Sequence, residues 1–226
     1  MTRQHSLLLA IKAILPGKTI LVLILISLAG IGAGVWFSQN TSSTDGTESA
    51  SRSRVLEKPR PLSEFTLSRH DQGNLNKASF VGKWSFLFFG YTHCPDICPT
   101  TLAELGRTFK QGVRAYPELS DTQAIFVSVD PQRDTPESIA AYVKYFDPDF
   151  IAATGNETQL NGLTEQLGIK YSRGPAMGDG YAVNHTSAVL LIDPQARYYA
   201  YFIPPHYALE VFQEYVNIRN HYESTQ

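Results

Sequence analysis

WSFLFFGYTHCPDICP, residues 84–99, joins an apolar run to a helix-like segment and contains both cysteines of the chain. The first six residues are apolar apart from one serine, which is typical of a buried strand in a parallel or mixed sheet. Downstream, apolar residues recur at spacings of three and four from Leu102 to Val113, which predicts a helix beginning near Pro99. The cysteines are therefore expected where a strand ends and a helix begins.

That position has a chemical consequence for Cys94 and Cys98. Unpaired N–H groups and the dipole at a helix N-terminus favour a thiolate over a thiol. The two cysteines are four residues apart, so a helical turn would put them on the same face. This C-x-x-x-C spacing differs from the C-x-x-C of thioredoxin-like redox enzymes. A reactive or metal-binding pair is favoured over two buried structural cysteines.

Composition indicates one ordinary folded domain with an N-terminal extension. The 226 residues include 19 Lys and Arg against 21 Asp and Glu, and a balance so close to neutral gives no indication of nucleic acid as a partner. No internal repeat is visible. Two cysteines in a chain of this length do not make a disulfide framework.

The N-terminal region contains an apolar run, TILVLILISLAGIGAGVWF at residues 19–37, which has no charged residue. It is long enough to cross a bilayer, and we predict a transmembrane helix. A cleaved signal peptide is the alternative, but this run is longer than the usual apolar region and lacks a clear cleavage site. Residues 1–18 carry Arg3, Lys12 and Lys18, which indicates a cytoplasmic N-terminus.

After the apolar run, residues 38–60 are rich in Ser and Thr and poor in apolar side chains, which predicts a flexible linker. Residues 61–226 then form the soluble domain, on the non-cytoplasmic side of the membrane. We favour a bacterial inner membrane with the domain in the periplasm. A mitochondrial inner membrane is the alternative, and it is disfavoured because the N-terminus lacks an Arg-rich and Ser-rich presequence.

Within the soluble domain, apolar strands alternate with helical segments. A hairpin with a turn near residues 71–74 precedes the strand at residue 84, and residues 193–196 turn the chain into a second hairpin before a closing helix. Residues 172–183 are expected to form a Gly-rich loop. Further strands are predicted at 124–129 and 188–192, and helices from 135 and over 158–167. This order predicts an α/β fold of thioredoxin type.

His185 stands apart from four other histidines. Those four, which flank turns or lie in polar segments, are expected to be solvated (His5, His70, His206 and His221). His185 precedes an apolar strand, at the place where thioredoxin-type folds carry a cis-proline beside the reactive sulfurs. Two thiolates and an imidazole suit copper, and a three-donor set is natural for Cu(I). Structural zinc would usually need a fourth ligand. A metal site is therefore favoured over plain redox chemistry.

Three motifs in order give the chain a resemblance to a known family. FFGYTHCPDICPTTL at residues 88–102, SVDPQRDTP at 128–136, and His185 before a strand resemble the Sco/SenC family. The resemblance covers the chain from about Pro61 onward. It implies a membrane-anchored, thioredoxin-fold protein that binds copper, as Cu(I), Cu(II) or both. It also implies that Cys94, Cys98 and His185 are the copper ligands.

The same resemblance implies a role in assembling the dinuclear copper centre of cytochrome c oxidase subunit II. Other periplasmic copper chaperones and thioredoxin-like reductants would be further partners. The main hypothesis is a metallochaperone without catalytic turnover. The alternative is a thiol–disulfide oxidoreductase that keeps the copper-binding cysteines of subunit II reduced, with Cys94 and Cys98 as its redox pair. A peroxidase-like enzyme is a weaker third reading.

Three further residues near these motifs are candidates for a role in the metal site. Family members often have Asp immediately before the histidine, and this chain has Asn184, which puts a supporting carboxylate there in doubt. Asp130, at the end of the second central strand, is a candidate to support the ligands or contact a partner, and equally a turn residue before Pro131. Met177 is a soft donor, but a loop apolar residue is the simpler reading.

Overall fold

The computed structural model describes residues 52–177 and 180–225, together with Ser27 and Gly30. Among these described residues, no helix combines the length and apolarity needed to span a membrane. The predicted transmembrane segment, residues 19–37, lies outside the described residues apart from those two positions. The linker prediction for residues 38–51 also falls outside them.

Eight strands form the main sheet of the described chain, in the order β1-β10-β9-β4-β5-β6-β2-β3, and β7 and β8 form a separate two-stranded sheet. The strands are β1 (Ser53–Pro61), β2 (Thr66–Arg69), β3 (Asn74–Asn76), β4 (Trp84–Gly90), β5 (Thr122–Ser128), β6 (Ile151–Thr154), β7 (Tyr171–Met177), β8 (Gly180–His185), β9 (Val189–Ile192) and β10 (Arg197–Phe202). The helices are α1 (Ile97–Gln111), α2 (Pro136–Phe146), α3 (Glu157–Leu167) and α4 (Ala208–Ser224). The predicted α/β class is confirmed.

β4 occupies the centre of this arrangement. It pairs with β5 in parallel and with β9 in antiparallel register, and all seven of its residues are buried. Phe86 packs edge-on against Phe109 of α1 and Tyr215 of α4, with ring centroids 5.7 and 5.0 Å apart. Burial on both faces explains why this strand is apolar at nearly every position rather than at alternate ones.

Local signals set the ends of two helices as the sequence predicted. Thr135 caps α2 by accepting from the Ser138 backbone N–H, while the Ser138 hydroxyl accepts from the Thr135 backbone N–H in return. Gly168 ends α3 in the left-handed conformation with φ of 72°, which glycine adopts without strain. The chain therefore turns directly from α3, which ends at Leu167, into β7, which begins at Tyr171.

The boundary expected at Pro61 is wrong, because β1 already begins at Ser53. Residues 53–61 pair antiparallel with β10 at the edge of the sheet, with a register shift between Val55 and Arg60. Most of their side chains are exposed, so main-chain hydrogen bonds rather than apolar packing hold the strand in the sheet. Its polar composition therefore resembles that of a linker.

The Gly-rich loop expected over residues 172–183 is also wrong, because β7 and β8 form an antiparallel hairpin there. Only Val183 of β8 is buried, so the segment lacks the clear apolar alternation that marks most strands. The sequence interpretation also missed β6, a four-residue strand with the sequence IAAT. Met177 lies in β7 rather than in a loop.

Candidate metal centre

The cysteines lie at the junction between β4 and α1. Cys94 is in the connecting loop, and Cys98 is in the first turn of the helix. The backbone N–H of Cys98 donates to Cys94 Sγ at 3.4 Å, so the helix N-terminus points a donor at this sulfur. Neither cysteine is in a disulfide. The predicted placement at a strand-to-helix junction is therefore what the structure shows.

Gly90, the last residue of β4, leaves space for the sulfur of Cys98. A Cβ at position 90 would lie 2.8 Å from Cys98 Sγ and 2.9 Å from the ring of Phe126. Both distances are shorter than van der Waals contact allows. Any side chain here would displace the sulfur, a requirement that the apolar strand pattern alone does not reveal.

Asp134 fixes the loop before Cys94, a role that the sequence interpretation missed. It is buried, and Oδ2 accepts from the Thr92 backbone N–H at 2.9 Å and from the Ser128 hydroxyl at 2.5 Å. Its Oδ1 accepts from the Thr92 hydroxyl at 2.5 Å. The residue falls inside the motif at residues 128–136, but nothing local distinguishes it from a helix-flanking acid.

His185 ends β8 and faces Cys98. Its Nε2 lies 3.3 Å from Cys98 Sγ, and its Nδ1 lies 3.0 Å from the Thr186 carbonyl oxygen. Because a carbonyl only accepts, Nδ1 must carry the proton and the lone pair is on Nε2. The rings of Phe88 and Tyr91 pack edge-on against the imidazole with centroids 6.1 and 5.9 Å away. The imidazole is therefore oriented before any ligand arrives.

Three donor atoms lie within 4.8 Å of one another. They are the sulfurs of Cys94 and Cys98 and one ring nitrogen of His185. Cys98 is fully buried and Cys94 is 9% exposed. The hydrogen bond from the Cys98 thiol lowers the pKa of Cys94 to about 3. The same bond raises the pKa of Cys98, since it stabilises Cys98 in its protonated form. A thiolate and a thiol therefore share the site.

This donor set fits a soft metal ion. Two sulfurs and a neutral imidazole match the preferences of Cu(I), for which three donors suffice. In the part of the chain that the structure describes, this group contains no fourth His, Cys, Asp or Glu, whereas a closed tetrahedral zinc site would need one. The same pair of thiols is also close enough in sequence and space for disulfide chemistry.

The remaining candidates are Asp130, Asn184 and Met177. Asp130 is fully buried and bonds to the Tyr181 hydroxyl and to Arg133 Nε, so any influence on the ligands is indirect. Asn184 is exposed on β8, opposite Ser172. Only the backbone position of Met177 is described, opposite Gly180.

Two other histidines differ from the solvated side chains that were expected. His206 is 5% exposed, and its Nε2 lies 3.2 Å from the Ser187 carbonyl oxygen. Desolvation lowers its pKa. His70 is half-buried, with Nδ1 3.1 Å from the Ala152 backbone nitrogen. Turn residues such as these pack inward when a neighbouring backbone group needs a partner, which the local sequence does not show.

Comparisons with known proteins agree with this architecture. The family model SCO1/SenC matches residues 54–218. The mitochondrial SCO2 homolog of Bos taurus is 33% identical over 189 residues, which cover 83% of this chain and 70% of the relative. The mitochondrial SCO1 homolog of Homo sapiens is 34% identical over 152 residues, covering 67% of this chain and 50% of the relative. The chain thus spans only half the length of the human protein.

A solved structure extends the comparison to three dimensions. The crystal structure of Arabidopsis thaliana ScoI with copper bound matches with a TM-score of 0.66 and 28% identity, covering 70% of this chain and 98% of that one. The thioredoxin-like α/β fold is therefore common to both. Together, the family match and the sequence identities show that this chain belongs to the SCO1/SenC family.

Proposed function

We propose that this protein is a copper metallochaperone, which binds one copper ion through Cys94, Cys98 and His185. The ion is cargo, delivered to the dinuclear copper centre of cytochrome c oxidase subunit II during assembly. The observation that carries the proposal is the convergence of two sulfurs and one imidazole nitrogen within 4.8 Å. A copper-bound relative with the same fold supports it.

The chemistry of the donors supports uptake of a soft ion. Cys94 is a thiolate at neutral pH, because its pKa is lowered to about 3. His185 presents Nε2 without a proton, because Nδ1 donates to Thr186. A metal requires deprotonated ligands, so only Cys98 has a proton to lose on copper binding.

The second candidate function is a thiol–disulfide oxidoreductase acting on the copper-binding cysteines of subunit II. The lowered pKa of Cys94 favours it, because a thiolate is the attacking group in exchange. Attack on a partner disulfide would release one partner thiol and form a mixed disulfide. Attack by Cys98 would then release the second, leaving Cys94 and Cys98 oxidised and the partner reduced by two electrons.

We further propose that residues 19–37 anchor the chain in an inner membrane, with the folded domain in the periplasm. Subunit II would be the acceptor of the ion. Other periplasmic copper chaperones and thioredoxin-like reductants would supply copper and keep the thiols reduced. Carbonate-washed membranes should retain the full-length protein, and recovery of a soluble form lacking residues 19–37 would contradict the anchor.

Copper stoichiometry and oxidase assembly separate the two functions. The full-length reduced protein should bind one copper ion, and His185→Ala should bind far more weakly while both thiols still exchange disulfides. His221→Ala, in the exposed last turn of α4, is the matched control and should bind normally.

In cells, loss of oxidase activity in His185→Ala to the level of Cys94→Ser is the result expected of a copper chaperone. Normal oxidase in a His185→Ala strain whose protein no longer binds copper would contradict the chaperone function. That result would favour the oxidoreductase, since disulfide exchange does not need the imidazole.

A further inference from the structure

The hairpin that carries His185 is not hydrogen-bonded into the main sheet. β7 and β8 pair only with each other, and the backbone bond from Thr186 to Lys170 lies within the base of the same hairpin. Strand pairing therefore does not determine where His185 lies relative to the cysteines. The short connection from His185 to β9 and side-chain contacts between the hairpin and the rest of the domain do so.

Val183 and Tyr181, both in β8, contact the rest of the domain: Val183 packs into the core, and Tyr181 bonds to a buried carboxylate. The Tyr181 hydroxyl donates to Asp130 Oδ1 at 2.6 Å, and Asp130 is fully buried just beyond the end of β5. A buried carboxylate without partners is strongly destabilising, so this oxygen gives the hairpin a fixed anchoring point. Tyr181 and His185 are four residues apart, and an even spacing puts their side chains on the same face of β8.

Arg133 donates hydrogen bonds to both Asp130 and Tyr181. Its Nε donates to Asp130 Oδ2 at 2.5 Å, and its Nη1 donates to the Tyr181 carbonyl oxygen at 2.9 Å. The guanidinium carbon also lies 3.7 Å from the centre of the Tyr181 ring. Asp130, Arg133 and Tyr181, the hairpin clamp, therefore hold both the side chain and the backbone of one β8 residue.

The hairpin clamp also approaches the metal centre through a second aromatic ring. The Arg133 guanidinium carbon lies 5.6 Å from the centre of the Tyr91 ring, and Tyr91 packs edge-on against His185 at 5.9 Å. Tyr91 follows β4 directly and precedes Cys94 by three residues. The same arginine is thus in contact with the hairpin and with the loop that carries the first cysteine.

From this geometry we infer that the hairpin clamp positions His185, and so sets how strongly the imidazole contributes to copper binding. The inference rests on the proposed copper site but adds Arg133 and Tyr181 as positioning residues, neither of which touches the ion. Removal of outer partners of metal ligands typically weakens metal binding by about 10-fold to 100-fold. An effect of about tenfold is expected here, because the clamp acts through four residues of strand.

A double-mutant cycle on the full-length protein tests this, with Cu(I) affinity measured by competition with a chelator of known affinity. Tyr181→Phe removes only the hydroxyl that Asp130 accepts, and should weaken Cu(I) binding by about tenfold. In a His185→Ala background the same change should have no further effect. Arg133→Lys, which keeps the charge but loses the two-armed contact, should repeat the pattern.

Tyr171→Phe is the matched control. It lies on β7 opposite His185, and its hydroxyl bonds to Glu157 and Asn161 of α3, which are not residues of the hairpin clamp. Cu(I) affinity should therefore be unchanged. EPR of the Cu(II)-loaded protein gives a second measurement. Tyr181→Phe should show a mixture in which one species matches His185→Ala, whereas a purely structural role would leave a single wild-type species.

The outcomes distinguish this inference from the function on which it rests. Unchanged affinity in His185→Ala would remove the copper site itself and the positioning role with it. Affinity lost in His185→Ala but unchanged in Tyr181→Phe and Arg133→Lys would overturn the positioning role alone. Equal weakening by Tyr181→Phe in both backgrounds would also overturn it, because the clamp would then act without His185.

Discussion

Cys98 follows a strand that is buried along its whole length in the middle of the eight-stranded sheet, whereas His185 ends a strand in a two-stranded sheet of its own. The cysteine side is held by main-chain pairing on both sides of β4 and by close packing. The histidine side is held by individual side chains. We therefore expect changes on the cysteine side to reduce global stability. Changes on the histidine side should weaken copper binding with little effect on folding.

Asp134→Ala should give the largest loss of stability. It leaves the Thr92 backbone N–H and the hydroxyls of Thr92 and Ser128 without their acceptor. Unpaired buried donors are expensive, and the free energy of unfolding should fall by about 3 kcal/mol. Urea unfolding of the apo protein measures it. A loss no greater than that of an exposed substitution would mean that the cysteine loop does not depend on this carboxylate.

Gly90→Ala should be the next largest effect. The new Cβ would overlap Cys98 Sγ and the Phe126 ring, and overpacking of this kind costs about 2 kcal/mol. Copper affinity should fall as well, because the sulfur must move. The matched control is Gly162→Ala in α3, where a Cβ meets nothing within 4 Å and helix propensity should stabilise the protein by about 1 kcal/mol.

Outside the hairpin and the cysteine loop, His206, between β10 and α4, should make stability depend on pH. Burial lowers its pKa in the folded protein, so between that value and the ordinary pKa of about 6.5 the unfolded chain binds the extra proton. This contribution to stability is present above about pH 6.5 and is lost as the pH falls below it. Arg52 and Glu104 are the charged groups that act on the ring.

Thermal unfolding measured between pH 5 and 8 tests the His206 prediction. His206→Gln can still donate to the Ser187 carbonyl but does not titrate, so the comparison with wild type isolates the contribution of this ring. Parallel pH profiles for the two proteins would contradict the prediction. The effect on stability should be smaller than that of Asp134→Ala or Gly90→Ala, because only one titrating group is involved.

Glu157→Gln should have the smallest effect. It weakens the ion pair between Glu157, the first residue of α3, and Arg173 of β7, in which both side chains are partly exposed. Pairs of this kind contribute less than about 1 kcal/mol. Urea unfolding should be nearly unchanged, and so should Cu(I) affinity. A large loss of copper binding would show that the contact with α3, rather than the hairpin clamp, positions the hairpin.

The difference between the two sides also explains what could be predicted from sequence. β4, its helix and the cysteine pair produce a local pattern of apolar run, C-x-x-x-C and amphipathic spacing, and the structure has all three. His185 was identified from its place before an apolar strand and from the family resemblance. The hairpin before it was predicted as a loop, because only Val183 of β8 is buried. Its contacts with Asp130 and Arg133 join residues that are distant in sequence.

Edge and turn positions account for the other errors. Residues 53–61 are polar because an edge strand needs main-chain partners more than apolar side chains, so the boundary at Pro61 was placed too late. His206 was expected in solvent because it lies beside prolines near a turn. Its burial depends on the Ser187 carbonyl, 19 residues earlier in the chain. Neither feature has a local periodic signal.

Solvent access to the three donor atoms is unequal, which bears on the order of ligand exchange. Cys98 is fully buried beneath the end of β4, while Cys94 and His185 keep some accessible surface. If copper is handed on as proposed, an incoming thiolate or imidazole would meet Cys94 and His185 first, because Cys98 has no accessible surface among the described residues. Associative transfer would therefore begin by replacing Cys94 or His185, and the bond to Cys98 would be the last to break, after the acceptor already holds the ion.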